Sequence, residues 1–306
     1  MKLNYSLKRL TTIKIGGPAR YFNIVKSESD LIKSIKWAEN NSIRWLVIGE
    51  GSNLVPSDGG FDGLIIKNQI KDIKINGNRV IVGSGHSLLS FINKINRFGL
   101  SGLEKMAGIP GTVGGAVYGS AGAYGQEIKD NIVRVRIFDG SKLFSITKEK
   151  CKFGYRHSIF KINKKWIITS VEFRLKRSKS KELLKVSKDI IKERNKKYPK
   201  DLQCPGSFFK NIIIEKIRPI LLRNKFLLKI PREKMNHGKV TAGYLLECVG
   251  AKSMKSGKIK VAEYHGNLVY NSGNGRSADV TKLAKILKNR VYKKFGIMLE
   301  EEIQYI

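Results

Sequence analysis

The chain has 306 residues, 41% of them hydrophobic, so it can bury a sizeable core, and its length points to about two domains. Its formal charge is +34, from 59 Lys+Arg against 25 Asp+Glu. The basic residues run along most of the chain rather than in one arm, and Lys, Ile and Asn are dense together, the pattern that A+T-rich coding would produce. Charge alone would also fit a nucleic-acid-binding protein, a minor rival reading. A positive field would equally draw in a small anionic substrate. Three widely spaced cysteines, Cys151, Cys204 and Cys248, with no CxxC, argue against a disulfide framework and a zinc site and suit a reducing compartment. No continuous apolar h-region opens the chain and no apolar run approaches the roughly 18 residues a membrane span needs. The expectation is a cytoplasmic protein.

In chain order, SESDLIKSIKWAENN (27–41) reads as a helix capped by Ser27 or Ser29, with Leu31, Ile32, Ile35 and Ala38 on one face. RWLVIG (44–49) reads as a short buried strand, and helix followed by strand is α/β grammar. Residues 63–83 read as short strands broken by the hairpin signal Asn76-Gly77. HSLLSFINKINRFG (86–99) is an amphipathic helix stopped by Gly99. Strands follow at 132–140 and 165–175. Between Arg174 and Lys200 a Lys-rich helix with a Leu183, Leu184, Val186, Ile190 and Ile191 stripe ends before Pro199, and its charge run is a solvated face. Helices are expected at 241–250, between a Thr cap and a Gly stop, and at 277–296. LEEEIQYI (299–306) reads as a closing strand. No internal repeat is visible.

The feature that stands out is AGIPGTVGGAVYGSAGAYG (107–125), where seven of the 18 residues from 108 are glycine. A flexible linker would carry polar filler. This run interleaves Ile109, Val113, Ala116, Val117, Ala121 and Ala123, which implies a buried, tightly folded loop. Glycines allow positive φ and close backbone approach, and backbone N–H groups can then face an anion. The reading is a cradle for a phosphate-bearing cofactor. A second run, GEGSNLVPSDGG (49–60), starts like a dinucleotide fingerprint, but Leu54 breaks G-x-G-x-x-G, and Pro56, Gly59 and Gly60 oppose the helix a Rossmann site needs. Its backbone amides, with Ser52 and Asn53, could still form a nest for a pyrophosphate.

Two glycine-rich, non-Rossmann loops in this order resemble the UDP-N-acetylenolpyruvoylglucosamine reductase family, in its shorter subtype. The resemblance runs from about Thr11 onward and rests on TTIKIGGPARYF (11–22), GEGSN (49–53), the 107–125 run, YRHSIF (155–160), GSFFKN (206–211), AGYLLECVG (242–250), HGNLVYN (265–271) and LEEEI (299–303). It implies an α+β / α/β fold: a two-subdomain FAD-binding fold of the vanillyl-alcohol oxidase (PCMH) type, plus a C-terminal α/β substrate domain. The expected FAD-binding domain is 1–178, with subdomains of about 1–60 and 61–178, and the substrate domain is 179–306.

The resemblance also implies the chemistry. NADPH reduces a non-covalent FAD, and the enolpyruvyl ether of UDP-N-acetylglucosamine is then reduced to UDP-N-acetylmuramate for peptidoglycan synthesis. Arg156 matches the family's catalytic arginine, Ser207 its proton donor and Glu302 its terminal glutamate. The last assignment depends on register, since Glu300 and Glu302 would share a strand face and Glu301 would not. Gly49, Gly51, Ser52 and Asn53 match the pyrophosphate loop. Gly111, Thr112, Gly114, Gly115, Ser120, Ala121, Gly122 and Ala123 match the flavin loop, with Ser120 standing where many relatives have Asn. Tyr155, Lys210, Asn211, His265 and Asn267 fall at substrate-side positions, with a packed structural role the equal alternative for His265. Ile212 replaces the proline common after that Asn, which leaves the path of the 204–212 loop open. No metal, nucleic-acid or membrane partner is expected, and the chain is expected to act as a monomer.

Overall fold

The computed structural model describes residues 1–223 and 230–306. They form two compact units, each built from separate stretches of chain. The first holds Met1–Tyr5, Ala19–Glu50 and Asp62–Lys200, and the second holds Ser6–Pro18, Gly51–Phe61 and Asp201–Ile306.

In the first unit, β1 (Lys2–Ser6), β2 (Pro18–Val25), β3 (Trp45–Ile48) and β5 (Phe61–Asn68) make a sheet in the order β1-β2-β5-β3. Helix α1 (Glu28–Asn40) starts where Ser27 Oγ accepts the Asp30 N–H, as its cap signal predicts. Its Leu31, Ile35 and Ala38 pack with Val25, Leu64 and Ile66. Strands β3 and β5 are parallel, from Trp45 opposite Leu64 to Ile48 opposite Lys67. Parallel neighbours cannot be joined by a tight turn. Their connection, residues 49–60, passes almost wholly into the second unit, where Leu54–Val55 forms β4. β5, which follows the expected subdomain break at about residue 60, belongs to this first sheet.

The other sheet of the first unit is antiparallel. It runs β9 (Leu143–Thr147), β8 (Ile132–Phe138), β10 (Ile167–Arg174), β7 (Arg79–Gly83), β6 (Ile73–Asn76). The Asn76-Gly77 turn joins β6 to β7, with Asn76 opposite Arg79 and Gly77 at φ +59°. Phe91, Ile92 and Ile95 of α2 (Leu88–Arg97) bury against this sheet's Val80, Val82, Val135, Val171 and Phe173. Helix α4 (Ser180–Lys197) lies beyond the expected boundary at 178/179 but packs in the first unit. Its Ser187 Oγ receives a 2.8 Å hydrogen bond from Asn96 Nδ2 of α2 and donates to the Glu104 carbonyl. Charged and hydroxyl groups tie this sheet to α1: Arg136 Nε and Thr169 Oγ1 both donate to Glu28 Oε1, at 2.9 and 2.6 Å. Cys151 is a buried core thiol pushed up to about 12 by burial, so it stays protonated and unreactive.

The core of the second unit gathers Ile13, Ile15, Val55, Phe208, Phe209, Leu245, Leu246, Leu283 and Leu287. Around it stand an antiparallel sheet of β11 (Lys255–Ser256), β12 (Ile259–Ala262) and β13 (His265–Asn271), helix α5 (Ala242–Cys248) and helix α6 (Ser277–Phe295). The expected strand at 299–306 is shorter than its alternation implies. Only β14 (Gln304–Tyr305) pairs as a strand, parallel to β4. Residues 300–302 instead bond to the 208–210 segment, through Lys210 N–H to Glu300 O and Glu302 N–H to Phe208 O. The run changes partners at Ile303.

Asp58, in the 49–60 connection, caps α6. Its Oδ1 and Oδ2 accept the Ser277 and Ala278 N–H groups at 2.8 and 3.2 Å, and its own N–H donates to Ser277 Oγ. Burial pulls the Asp58 carboxyl upward, but those hydrogen bonds and the Arg276 charge outweigh it and hold it below its ordinary value. A depressed carboxylate stabilises the fold above its unfolded pKa and loses that contribution as pH falls through the folded value. Asp58→Ala should cost about 1 kcal/mol at neutral pH, the usual worth of a helix cap. Thermal melts of the variant and the parent should converge as the buffer is taken below the ordinary carboxylate range.

Candidate active site

The glycine-rich run is not a continuous loop. Val113–Gly119 forms a short helix, α3. Gly-Gly-Ala is a poor helix former, so the helix owes its existence to its surroundings. Thr112 Oγ1 accepts the Gly115 N–H, Val113 N–H donates to His86 O, and Gly114 N–H donates to Ser84 O. The Gly114 and Gly115 amides are thus engaged inside the protein. The glycines serve close approach. A Cβ on Gly114 would lie 2.8 Å from Ser84 Cβ, and one on Gly49 would lie 2.6 Å from Thr112 Oγ1. The first expected loop is therefore pressed against the second at Gly49 and Thr112. Ser84 is fixed in turn, accepting from Asn68 Nδ2 and donating to Ile168 O, both at 2.7 Å.

After α3 the chain turns at Ser120, in the left-handed region at φ +47°, and forms a tight hairpin through Gly122 and Ala123. Ser120 is 3% exposed, and its Oγ is buried with no hydrogen-bond partner in the protein. A buried hydroxyl left unsatisfied costs about 1–3 kcal/mol, and a polar ligand atom at this turn would satisfy it. That fits a flavin, whose ring edge carries hydrogen-bonding atoms. Arg156 crosses the same turn, its Nη1 3.4 Å from Ser120 O and its Nη2 3.4 Å from Gly122 O. Its guanidinium also lies 5.4 Å from the Tyr155 ring centroid. Arg156 adopts φ +53°, a conformation costly for a residue with a Cβ. Two bonds secure it. Lys161 Nζ donates to the Arg156 carbonyl at 2.9 Å, and Ser158 Oγ donates to Tyr118 O at 2.7 Å. Sequence reading gave Lys161 and Ser158 no role, although Ser158 lies within YRHSIF, because both act on the backbone.

Ser207, Lys210, Asn211, His265, Asn267 and Glu302 belong to the second unit. Gly206, at φ +85°, turns the chain into Ser207, which bridges to Leu268 of β13. Phe208 and Phe209 anchor the segment, both buried, with ring centroids 4.9 Å apart. Asn267, expected at the substrate, is a buried amide that binds backbone. It is 4% exposed, its Oδ1 accepts the Phe209 N–H and its Nδ2 donates to the Phe209 carbonyl, both at 2.8 Å. The amide imitates a neighbouring strand and holds the Ser207 segment. His265 Nδ1 accepts the Asn267 N–H at 3.0 Å, which leaves Nε2 as the donor, and its ring sits where a Cβ on Gly243 would be 3.1 Å away. Asn211 Oδ1 accepts the Ala242 N–H and so supplies the cap of α5 that Thr241 was expected to give, for Thr241 makes no side-chain cap bond. The path of the 204–212 loop is thus fixed by Phe208, Phe209 and Asn211.

The three terminal glutamates separate by partner. Glu300 Oε2 pairs with Lys210 Nζ at 2.9 Å, and the lysine's hydrogen bond and charge hold the Glu300 carboxyl below its ordinary value. Glu301 pairs with Lys288 of α6 at 3.6 Å. Glu302 is half-buried, one backbone hydrogen bond from Phe208 and so adjacent to Ser207. Gly51, Ser52 and Asn53 are also in the second unit, whereas Gly49 is in the first. Gly51 takes φ +64°, and a Cβ there would lie 2.0 Å from the Leu10 carbonyl, so no other residue fits.

Residues 19–141 match the FAD-binding domain model, and residues 198–306 match the model of the UDP-N-acetylenolpyruvoylglucosamine reductase C-terminal domain. The chain is 42% identical over 300 residues to the UDP-N-acetylenolpyruvoylglucosamine reductase of Solibacter usitatus, covering 98% of this chain and 95% of that one. It is 36% identical over 307 residues to that of Caldicellulosiruptor bescii, covering 99% and 90%. The crystal structure of UDP-N-acetylenolpyruvylglucosamine reductase from Thermus caldophilus superposes with a TM-score of 0.76, at 29% identity, over 98% of this chain and 97% of that one. With an FAD-binding domain matched over 19–141, a family-specific C-terminal domain matched over 198–306, and identity along almost its whole length, the chain belongs to the UDP-N-acetylenolpyruvoylglucosamine reductase family.

Proposed function

We propose that the chain reduces the enolpyruvyl ether of UDP-N-acetylglucosamine to UDP-N-acetylmuramate, with NADPH as the electron source. The observation that carries this reading is the guanidinium of Arg156, lying across the same turn as the unsatisfied Ser120 hydroxyl. A cation is thereby fixed at a flavin loop rather than scattered on a basic surface. FAD, when bound, supplies a hydride taken from NADPH to the terminal vinyl carbon of the substrate. Ser120, Ala121, Gly122 and Ala123 would hold the flavin, with Gly111, Thr112, Gly114 and Gly115 shaping the floor beneath it. Gly51, Ser52 and Asn53 remain the proposed pyrophosphate contacts.

Hydride addition leaves negative charge on the substrate's neighbouring carbon and carboxylate. Arg156 stabilises that enolate-like charge. Its guanidinium stays protonated at working pH and is already directed by Tyr155 and the loop carbonyls. Ser207 then donates a proton to the carbon. Its hydroxyl is a weak acid, so the proton it gives up must be replaced as it leaves, and Glu302, one backbone bond away along the chain pairing, would return that proton from its protonated carboxyl. The balance is one hydride from NADPH and one proton, giving a saturated lactyl ether and NADP+. Lys210 joins the substrate side by exchanging its Glu300 partner for an anionic group. We place this chemistry in the cytoplasm, on a monomer. Among the described residues no helix is long and apolar enough to cross a membrane.

Substrate-dependent oxidation of NADPH tests the reading. Ser207→Ala should lower turnover by about 10²–10⁴-fold, the usual worth of a positioned acid, while NADPH still bleaches the flavin. Arg156→Met should lower it by about 10²–10³-fold, as for other preorganised charge stabilisers. Equal loss of flavin reduction and of turnover in Ser207→Ala would refute the proton-donor role. Glu300→Gln should leave turnover within a few-fold of the parent, which separates Glu300 from Glu302.

A further inference from the structure

The backbone around Glu302 is fixed from two sides, and one of them is a side chain whose motif points to a different job. On one side, Glu302 N–H donates to Phe208 O at 2.9 Å, and Phe208 N–H donates to Asn267 O at 3.1 Å. On the other side, Asn53 Nδ2 donates to the Glu302 carbonyl at 2.9 Å, and the Asn53 carbonyl accepts the Gln304 N–H at 2.9 Å. Asn53 therefore grips the peptide that leaves Glu302 and, through its own backbone, the residue two further on. The turn that presents Asn53 is rigid. Gly51 is locked at φ +64° against Leu10, and its carbonyl accepts from both Thr12 and Leu54. Immediately beyond, Leu54 and Val55 pair with Gln304 and Tyr305.

We infer that Asn53 is a positioning residue for Glu302. Its amide sets the height and direction of the glutamate's backbone beside the Ser207 segment, a task separate from any phosphate contact made by the turn's backbone. The inference rests on the reading that Glu302 assists proton delivery by Ser207. An amide is suited to this because its N–H reaches the Glu302 carbonyl while the residue's backbone pairs with the same chain segment. Removing the donor lets the Glu302 peptide rotate. Replacing it with a carboxylate sets negative charge against the Glu302 carbonyl. In neither case does a group that touches the reacting carbon change.

The test uses the FAD-loaded full chain and follows the two half-reactions separately: bleaching of the flavin by NADPH, then its recovery on adding the enolpyruvyl UDP-sugar. In both Asn53→Ala and Asn53→Asp, the recovery rate should fall at least tenfold more than the bleaching rate. The Asn53→Ala/Glu302→Gln double variant should recover no more slowly than Glu302→Gln alone, because removing the glutamate removes what Asn53 positions. Matching falls in both rates with loss of bound FAD would overturn the inference and leave Asn53 a cofactor contact. So would a double variant whose losses simply add. Asn53→Asp is nearly isosteric and keeps the test open if Asn53→Ala does not fold. A Glu302→Gln variant with parental recovery would show instead that the reading of Glu302 itself is at fault.

Discussion

Strands β3 and β5 lie side by side and parallel, and much of the architecture follows from that pairing. The chain leaving Ile48 must travel a long way before it can return as Phe61. It spends that excursion as GEGSNLVPSDGG. Gly49 stays in the first unit, packed against Thr112, while Gly51 to Phe61 become part of the second. There the excursion supplies β4 for the chain's last strand, Asp58 for the cap of α6, and Asn53 for the Glu302 peptide. A connection that the sheet's geometry makes unavoidable thus carries three structural duties besides its expected cofactor contact.

The second unit is organised by side chains that behave like backbone. Asn267 bonds both polar groups of Phe209, Asn211 caps α5, Asn53 holds Glu302, and Asn271 receives the Gly273 and Gly275 N–H groups while donating to Ile13 O. A carboxamide can do this because it carries a donor and an acceptor at the spacing of a peptide. Such bonds fix irregular segments that strands and helices cannot reach, and Ser207 and Glu302 both stand on irregular segments. In the first unit Lys161 and Ser158 do the same work for Arg156.

The helices α1, α2, α4 and α6 were legible in the sequence because their causes are local: an apolar face at helical spacing, with a cap or a glycine stop. The Asn76-Gly77 hairpin was legible for the same reason. Helix α3 was not, since Ser84 and His86, distant in sequence, supply the carbonyls that hold its first turn. The N-terminal strands β1 and β2 were also missed, because their residues show no clean alternation. At the site, Arg156, Ser207 and the glycine loops could be placed from motif order. The roles of Asn53 and Asn267 could not, because each depends on a partner far along the chain. The glutamate triplet shows the limit well: alternation narrowed it to Glu300 and Glu302, and only the Lys210 and Lys288 partners distinguish the three.

The central claim is that one chain holds a flavin in the Ser120–Ala123 turn and passes reducing equivalents from NADPH to an enolpyruvyl UDP-sugar. An anaerobic visible-absorbance titration of the purified protein tests it most directly. A flavin spectrum that bleaches with one equivalent of NADPH and returns on adding the UDP-sugar is the predicted result. A protein that takes up no FAD, or a reduced flavin that the UDP-sugar leaves unchanged, would contradict the account.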